Sequence, residues 1–414
     1  MNDDNLYPRG VMPKLAEALT DSPVILLHGP RQSGKTTIAH QIAKQLPYAY
    51  ITFDDHIHLD AAKTDPMGFV ANLPDRVILD EIQRIPELFT AIKASVDRDR
   101  RPGRFILTGS ANVFLVPRLA DSLAGRIEIL RIHPLSQSEI LNKQPDFLSC
   151  LFDNAFGHYS GTRLGQTLAD IITAGGYPGV QSRTAKRRGT WYRDYIQTMI
   201  QRDVQDLAHI GDFEAVSRLM ILTATQTARI FNLAEISSPF QLSRPTIRHY
   251  ITLLSHLFLV EELPPWHSNR LNRLIKSPKF HIGDTGVAAA LLNITAETLY
   301  KDRPLFGQLL ETFVYQELKR QASWHEDEFT WNHLRDRDGY EVDIVAERGQ
   351  RIAGIEIKAS ATVTAADFKA LRRLRDATDP HFAVGIVLYD GEFIAPFGDR
   401  LLAVPIRRLW DTPS

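Results

Sequence analysis

Cysteine is nearly missing from this chain: Cys150 is the only one among 414 residues. That excludes an internal disulfide and a thiolate zinc site, and it fits a reducing cytoplasm. Net charge is nearly missing as well. Lys and Arg number 48 against 49 Asp and Glu, a formal charge of -1. No global field therefore draws the chain to nucleic acid, and any such binding must come from a local patch. No run approaches the ~18 apolar residues of a membrane span. The start, Met1-Asn2-Asp3-Asp4, is acidic and lacks an apolar signal core. Internal repeats and low-complexity tracts are absent. The expectation is a cytoplasmic protein with no membrane partner. Its 44% hydrophobic and 23% charged residues are material for several cores in two or three domains.

What is present is organised around Val24 to His40. Val24 to Leu27 is an apolar run that reads as a buried strand. The turn Gly29-Pro30-Arg31-Gln32-Ser33-Gly34 follows, and Lys35-Thr36-Thr37 opens a helix with Ile38, Ile42 and Leu46 on one face. Gly29, Gly34, Lys35 and Thr36 fill the G-x-x-x-x-G-K-T spacing of a phosphate loop. Glycines let backbone N–H groups approach phosphate oxygens, and the helix N-terminus adds its positive dipole end. Lys35 is expected to reach the β- and γ-phosphates of ATP, and the Thr36 hydroxyl to ligate Mg2+. An ordinary strand-to-helix turn would explain the glycines but not Lys35-Thr36.

Tyr48 to Phe53 reads as the next strand, and short helices are expected around His56 to Ala62 and Pro66 to Ala71. Arg76 to Asp80 is an apolar strand running into Asp80-Glu81. Asp80 is placed to hold the Mg2+ shell and Glu81 to polarise the attacking water. With one strand between phosphate loop and acidic pair, Glu81 fits the additional-strand class of ATPases. The strand Arg104 to Ser110 ends in hydroxyls, so Thr108 and Ser110 are candidate sensors of the γ-phosphate; a helix cap at Ser110 is the alternative. A helix near Val113 leads to Ala124-Gly125-Arg126 and the strand Ile127 to Ile132. Arg126 is either an arginine finger toward a neighbouring subunit or a salt-bridged strand-end residue. Alternating strands and helices predict a doubly wound parallel sheet with nucleotide at its carboxyl edge.

The segments GPRQSGKTT, VILDEIQRIPEL, FILTGSAN and SLAGRIEILRIHPLSQSE resemble the bacterial and archaeal AAA family ATPases of the extended AAA+ group. Their second half is usually labelled a domain of unknown function. The resemblance continues through GGYP (Gly175 to Pro178), YIQTMIQRDV, PKFHIGDTGVAAALL and LLETFVYQEL, covering nearly the whole chain. It implies ATP and Mg2+ as cofactors, a helical lid, a possible homo-oligomer, and a nucleotide contact for Arg126, which matches an arginine within the family's SLAGR segment.

Beyond the lid the pattern changes. Asn232 to Ile236 reads as a short helix. Ser243 to Tyr250 opens a second, with Ile247, Ile251, Leu254 and Leu257 at helical spacing, and Phe258 to Leu263 follows as a strand. That is a helix-turn-helix with a wing. Arg244, Thr246, Arg248 and His249 are positioned to face a major groove, unless the winged helix is a packing module. Further on, a helix from Leu309 to Gln321 carries Glu311 near its start. Strands around Asp343 and from Ala353 to Lys358 follow, the second delivering Glu356 and Lys358 to one face. Helix Glu, strand Asp, hairpin and Glu-x-Lys is the layout of restriction-endonuclease-like nucleases. In it Asp343, Glu356 and Glu311 would bind a metal ion, and Lys358 would orient or deprotonate the water attacking DNA. A cross-strand ion pair is the alternative. No Gln-x-x-x-Tyr element follows Lys358, which argues against the exonuclease branch.

The expected architecture is α/β with four domains: a P-loop AAA+ type ATPase core over 1–145, a helical lid over 146–225, a winged helix-turn-helix over 226–275, and a restriction-endonuclease-like domain over 276–414. Two functions fit it. One is an ATP-hydrolysing switch whose nucleotide state controls a DNA-directed winged helix and nuclease-like domain. The other is an ATP-dependent regulator or scaffold whose nuclease-like domain does not cut. A P-loop kinase for a small molecule explains neither Asp80-Glu81 with Ser110 nor the extra domains.

Overall fold

The computed structural model describes residues 6–110, 123–203, 213–230, 240, 242–267, 277–336 and 338–412. Ala111 to Ser122, with the helix expected near Val113, and the helix expected at Asn232 to Ile236 lie outside them. The chain divides into two compact units, residues 9–134 and the remainder.

The first unit is built on a parallel five-stranded sheet. Its strands are β1 (Val24–His28), β2 (Ala49–Thr52), β3 (Val77–Asp80), β4 (Phe105–Gly109) and β5 (Ile127–Arg131), in the order β2-β3-β4-β1-β5. The unbroken burial of β1, β3 and β4 is what a sheet covered on both faces requires. Alternate side chains go to opposite faces. Ile25 and Leu27 pack with Ile38 and Ile42 of the helix Lys35–Gln45. Val24 and Leu26 pack with Phe89, Ile92 and Val96 of the helix Leu88–Arg98. Burial of such a helix face, rather than propensity, holds it in place; truncating Phe89 to Ala should cost about 3–5 kcal/mol. Because β4 lies between β1 and β3, with His28 level with Gly109 and Thr52 level with Asp80, the ends of β1, β3 and β4 share one sheet edge.

The second unit holds two sheets. Strands β6 (Arg229–Ile230), β7 (Val260–Leu263) and β8 (Lys279–Ile282) form an antiparallel sheet in the order β6-β8-β7. The helix Arg244–His256 precedes β7; Ser243 caps it by accepting from the Thr246 N–H at 3.2 Å, and Ile247, Ile251 and Leu254 form its buried face. Strands β9 (Thr330–Arg335), β10 (Glu341–Arg348), β11 (Arg351–Lys358), β12 (Phe382–Tyr389), β13 (Ala395–Gly398) and β14 (Leu401–Pro405) form the other sheet, ordered β13-β14-β12-β11-β10-β9. β9 to β11 are an antiparallel meander, while β12 runs parallel to both β11 and β14. The helix expected from Leu309 starts earlier and runs Arg303–Ala322, because Pro304 and the Asp302 cap begin it. Glu311 therefore lies in its third turn rather than near its start.

This helix also anchors the chain just beyond the first unit. Arg320, fully buried, donates to Leu135 O at 2.8 Å and to the carboxylates of Glu317 at 3.2 Å and Asp284 at 2.9 Å. Glu317 accepts from the Gln137 N–H, and Asp284 from the Gly176 N–H, both at 2.9 Å. Burial lifts the Glu317 carboxyl to about 7 against the pull of Arg320.

Candidate functional site

At the carboxyl edge of the first sheet the phosphate loop follows directly on β1. Each of its glycines has a local reason. A Cβ on Gly29 would meet the Ile132 carbonyl oxygen at 2.0 Å, and Gly34 holds φ +101°, a conformation that side chains disfavour. Gly34 also serves as N-cap without any side-chain cap, so the first N–H groups of the helix Lys35–Gln45 face an incoming anion. Lys35 is buried and donates to Gly29 O at 2.9 Å and Pro30 O at 2.7 Å. Among the described residues the buried Ser33 hydroxyl has no hydrogen-bond partner, the kind of orphan that a bound phosphate oxygen would satisfy. Arg9 braces the loop by donating to Ser33 O and His133 O, both at 2.7 Å. His28, beneath the loop, is held neutral: burial, helped by Arg131 and Lys35, pulls its pKa to about 3.

Across from the loop, Thr36 Oγ1 lies 3.3 Å from both carboxylate oxygens of Asp80. Asp80 also accepts from the Tyr50 hydroxyl at 2.7 Å and from Thr108 Oγ1. Hydroxyl and carboxylate together are the oxygen donors that Mg2+ takes, so these residues fit the ion that accompanies ATP. Glu81 has a left-handed backbone, φ +60°, rare for a side-chain-bearing residue and typical of functional strand ends. Its N–H donates to Thr108 Oγ1 at 3.1 Å, and its carboxylate accepts from Gln83 and, at 3.3 Å, from Ser110. Thr108 and Ser110 thus meet the acidic pair. Arg126 pairs with Asp97 at 2.6 Å, the ion pair that its sequence context left open.

A second polar centre lies in the other unit, where β8, β10, β11 and the helix Arg303–Ala322 meet. Asp343 and Glu356 lie on the paired strands β10 and β11: Asp343 Oδ2 accepts from the Ile357 N–H at 2.9 Å, and Lys358 pairs with Glu356 at 2.9 Å. The surprise is Lys279. Its ammonium, 1% exposed, lies 2.9 Å from Glu311, 2.6 Å from Glu341 and 3.4 Å from Asp343. Burial alone would lower its pKa, but the three carboxylates outweigh this and raise it. Burial, with Asp343 beside it, lifts Glu356 to about 8, and burial likewise drives Glu311 well above the usual carboxyl range. Among the described residues no group of three or more His, Cys, Asp or Glu side chains is arranged to hold a metal ion. Of the carboxylates expected to bind a metal, Glu311 and Asp343 instead face the Lys279 ammonium and Glu356 pairs with Lys358, so the set as arranged does not fit a metal ion.

Sequence reasoning missed Tyr50, Gln83, Arg9 and Lys279. Only Lys279 carried a local signal, a lone cation inside the fully buried strand Lys279–Ile282. The others are brought in by sheet register or from distant chain.

A family model described as an AAA domain matches residues 21–141. Two further models, both described as domains of unknown function, match residues 165–298 (DUF8612) and 306–409 (DUF4143). Uncharacterized protein Rv2008c of Mycobacterium tuberculosis and Uncharacterized protein Mb2031c of Mycobacterium bovis are each 30% identical over 408 residues, covering 98% of this chain and 85% of the relative. Among solved structures, the Walker-type ATPase paby2304 of Pyrococcus abyssi is 15% identical, spanning 70% of this chain and 97% of that one, with a TM-score of 0.44. The Thermotoga maritima RuvB Holliday junction branch migration motor is 18% identical, spanning 61% of this chain and 89% of that one, with a TM-score of 0.30. No described helix is long and apolar enough to cross a membrane.

Proposed function

The chain belongs to the family of these mycobacterial proteins, and from its AAA domain and the domains of unknown function that follow it we propose a Mg2+-dependent ATPase whose nucleotide state controls its second half. The carrying observation is the convergence of Lys35, Thr36, Asp80 and Glu81 on one sheet edge. Lys35 would exchange two backbone carbonyls for phosphate oxygens, which as anions are stronger acceptors. The backbone N–H groups of the loop Gly29 to Thr37, all but that of Pro30, which has none, and the Ser33 hydroxyl would cradle the phosphate chain. Thr36 and Asp80 would hold Mg2+, which when bound neutralises phosphate charge. Glu81, freed from Gln83 and Ser110, would orient the attacking water and take up its proton. Arg126 becomes available to a neighbouring subunit's nucleotide if it leaves Asp97. Control of the second half has a covalent route. The chain leaves β5 through His133-Pro134 into Leu135 to Gln137, which Arg320 and Glu317 grip.

The second half we read as DNA-directed, with lid, winged-helix and nuclease-like domains divided as the sequence suggests. In favour stand the helix Arg244–His256 followed by the β7–β8 pair, and the β10–β11 hairpin ending in Glu356 and Lys358. Within the nuclease-like domain, the position of Lys279 favours the non-cutting reading, because it fills the space among Glu311, Glu341 and Asp343. The test is phosphate release by the pure protein, with DNA products followed in parallel under Mg2+ or Mn2+. Phosphate release that stops in Glu81→Gln without loss of ATP binding supports the ATPase assignment. Equal turnover by wild type and Glu81→Gln overturns it, and metal-dependent strand cleavage overturns the non-cutting reading.

A further inference from the structure

Between Arg183 and Arg193 the chain places five cations in eleven residues, Arg183, Lys186, Arg187, Arg188 and Arg193, with no Asp or Glu among them. Most of this run forms the first half of the helix Ala185–Thr198. Lys186, Arg187 and Arg188 crowd its first turn, where the helix dipole disfavours positive charge. No acidic residue occupies that turn, and the N-cap Thr184 makes no side-chain cap. Among the described residues none of the five has a carboxylate within ion-pair distance. Several other arginines of the same unit are paired, Arg248 to Glu262, Arg348 to Asp153 and Asp327, Arg373 to Asp338, and Arg400 to Asp379, but in no other stretch of that unit do so many cations stand together without a carboxylate partner among the described residues. Such a cluster works against the stability of its own helix, and a bound anion would relieve that cost.

Beside the helix is a cavity of about 370 Å3, lined by Lys186, Arg188 and Arg193 together with Thr173, Asn293 and Thr295; Asp170 is its one acidic lining residue. Lys186, Arg187 and Arg193 are exposed, and Arg188 is half-buried. Seven residues separate Lys186 from Arg193, about 10 Å along a helix axis at ~1.5 Å per residue. That equals the axial rise of about three base pairs of a duplex, ~3.4 Å each. The other exposed residues of the helix, Ala185, Asp194, Gln197 and Thr198, include no large apolar side chain that could enter a lipid surface.

We propose that the basic face of the helix Ala185–Thr198 and its adjoining cavity bind the phosphate backbone of DNA without reading sequence, in addition to any contact by the winged helix. This rests on the reading of the second half as DNA-directed. The chain's near-zero net charge makes the patch the local source of attraction that overall composition does not supply.

The experiment measures fluorescence anisotropy of a labelled 30-base-pair duplex with full-length protein over a range of salt concentrations. It compares wild type, the triple variant Lys186→Ala, Arg187→Ala, Arg193→Ala, and the winged-helix variant Arg244→Ala, Arg248→Ala. The triple variant should lose about two to three units of the log–log salt slope, and at least tenfold in affinity at moderate salt. The charge-conserving variant Lys186→Arg, Arg187→Lys, Arg193→Lys should bind as wild type does. Phosphate release from ATP should be unchanged in both and the thermal melt should not fall in either, which excludes misfolding as the cause. Wild-type binding with an unaltered slope in the triple variant overturns the inference and leaves the DNA-directed reading standing. No duplex binding by wild type overturns both. Loss of binding to vesicles carrying anionic lipid, with duplex binding intact, moves the patch to membranes and also overturns it.

Discussion

Two buried lysines face oxygen acceptors in this molecule, and their surroundings set them to opposite tasks. Lys35 is held by two neutral backbone carbonyls. Lys279 is held by three carboxylates. Exchanging a carbonyl for an anionic phosphate oxygen is a gain for an ammonium group, so Lys35 is poised to change partners. Pulling an ammonium from three partly buried carboxylates leaves uncompensated charge behind, so Lys279 is locked. A phosphate loop can therefore bind, release and bind again, while the carboxylate cluster resembles a finished internal ion network. A lysine's chemistry is decided by whether its partners carry charge.

The contrast is broken most directly at the loop. Lys35→Ala should abolish or greatly weaken ATP binding, measured by titration calorimetry, and remove turnover with it. Glu81→Gln should keep ATP binding and lower turnover by about two to three orders of magnitude, the scale of losing one group that acts chiefly in the transition state. Nucleotide bound by Lys35→Ala as tightly as by wild type would erase the difference between the two lysines.

Lys279→Met probes the locked partner. Stripping the cation from Glu311, Glu341 and Asp343 should destabilise the second unit by about 3–5 kcal/mol near neutral pH, read from urea unfolding. Wild-type thermal stability should not respond to millimolar Mn2+ at this cluster. A Mn2+-induced rise in melting temperature that Asp343→Ala removes would return the cluster to the metal-binding class.

A smaller effect concerns His28 beneath the loop. Its folded pKa, about 3, lies below the unfolded value of ~6.5. Between these the folded state binds fewer protons, so its stabilising contribution is complete above ~6.5 and is lost as pH falls toward 3. Stability of the first unit should decline by up to about 1.4 kcal/mol per pH unit across that window, and His28→Asn should flatten the decline. Smallest is the winged-helix pair. Arg248 already answers to Glu262 at 3.0 Å, so Arg244→Ala with Arg248→Ala should lower the salt slope of DNA binding by about one unit rather than two.

The first unit was legible almost throughout because its signals are local. An apolar run between turn residues becomes a parallel strand when both faces are covered, as in β1, β3 and β4. The phosphate loop needs glycine at two positions for reasons of turn geometry and close backbone approach. Boundaries were less legible: the helix holding Glu311 begins at Arg303 because of an Asp302 cap and Pro304, weaker marks than its apolar stripe. Long-range partners were not legible at all. Nothing near Asp80 announces that Tyr50 and Thr108 will hydrogen-bond to it; the β2-β3-β4 register does.

Spacing and residue type along the chain were enough to specify the phosphate loop, the acidic pair after β3, and the alternation that makes a parallel sheet. Each of these depends on near neighbours in sequence. Folding in three dimensions was needed to set Lys279 among Glu311, Glu341 and Asp343, to bring Arg126 to Asp97, and to let Arg320 grip Leu135 from 185 residues away. Those partners come together because separate apolar faces are buried at once, and burial carries whatever polar groups lie between them into contact.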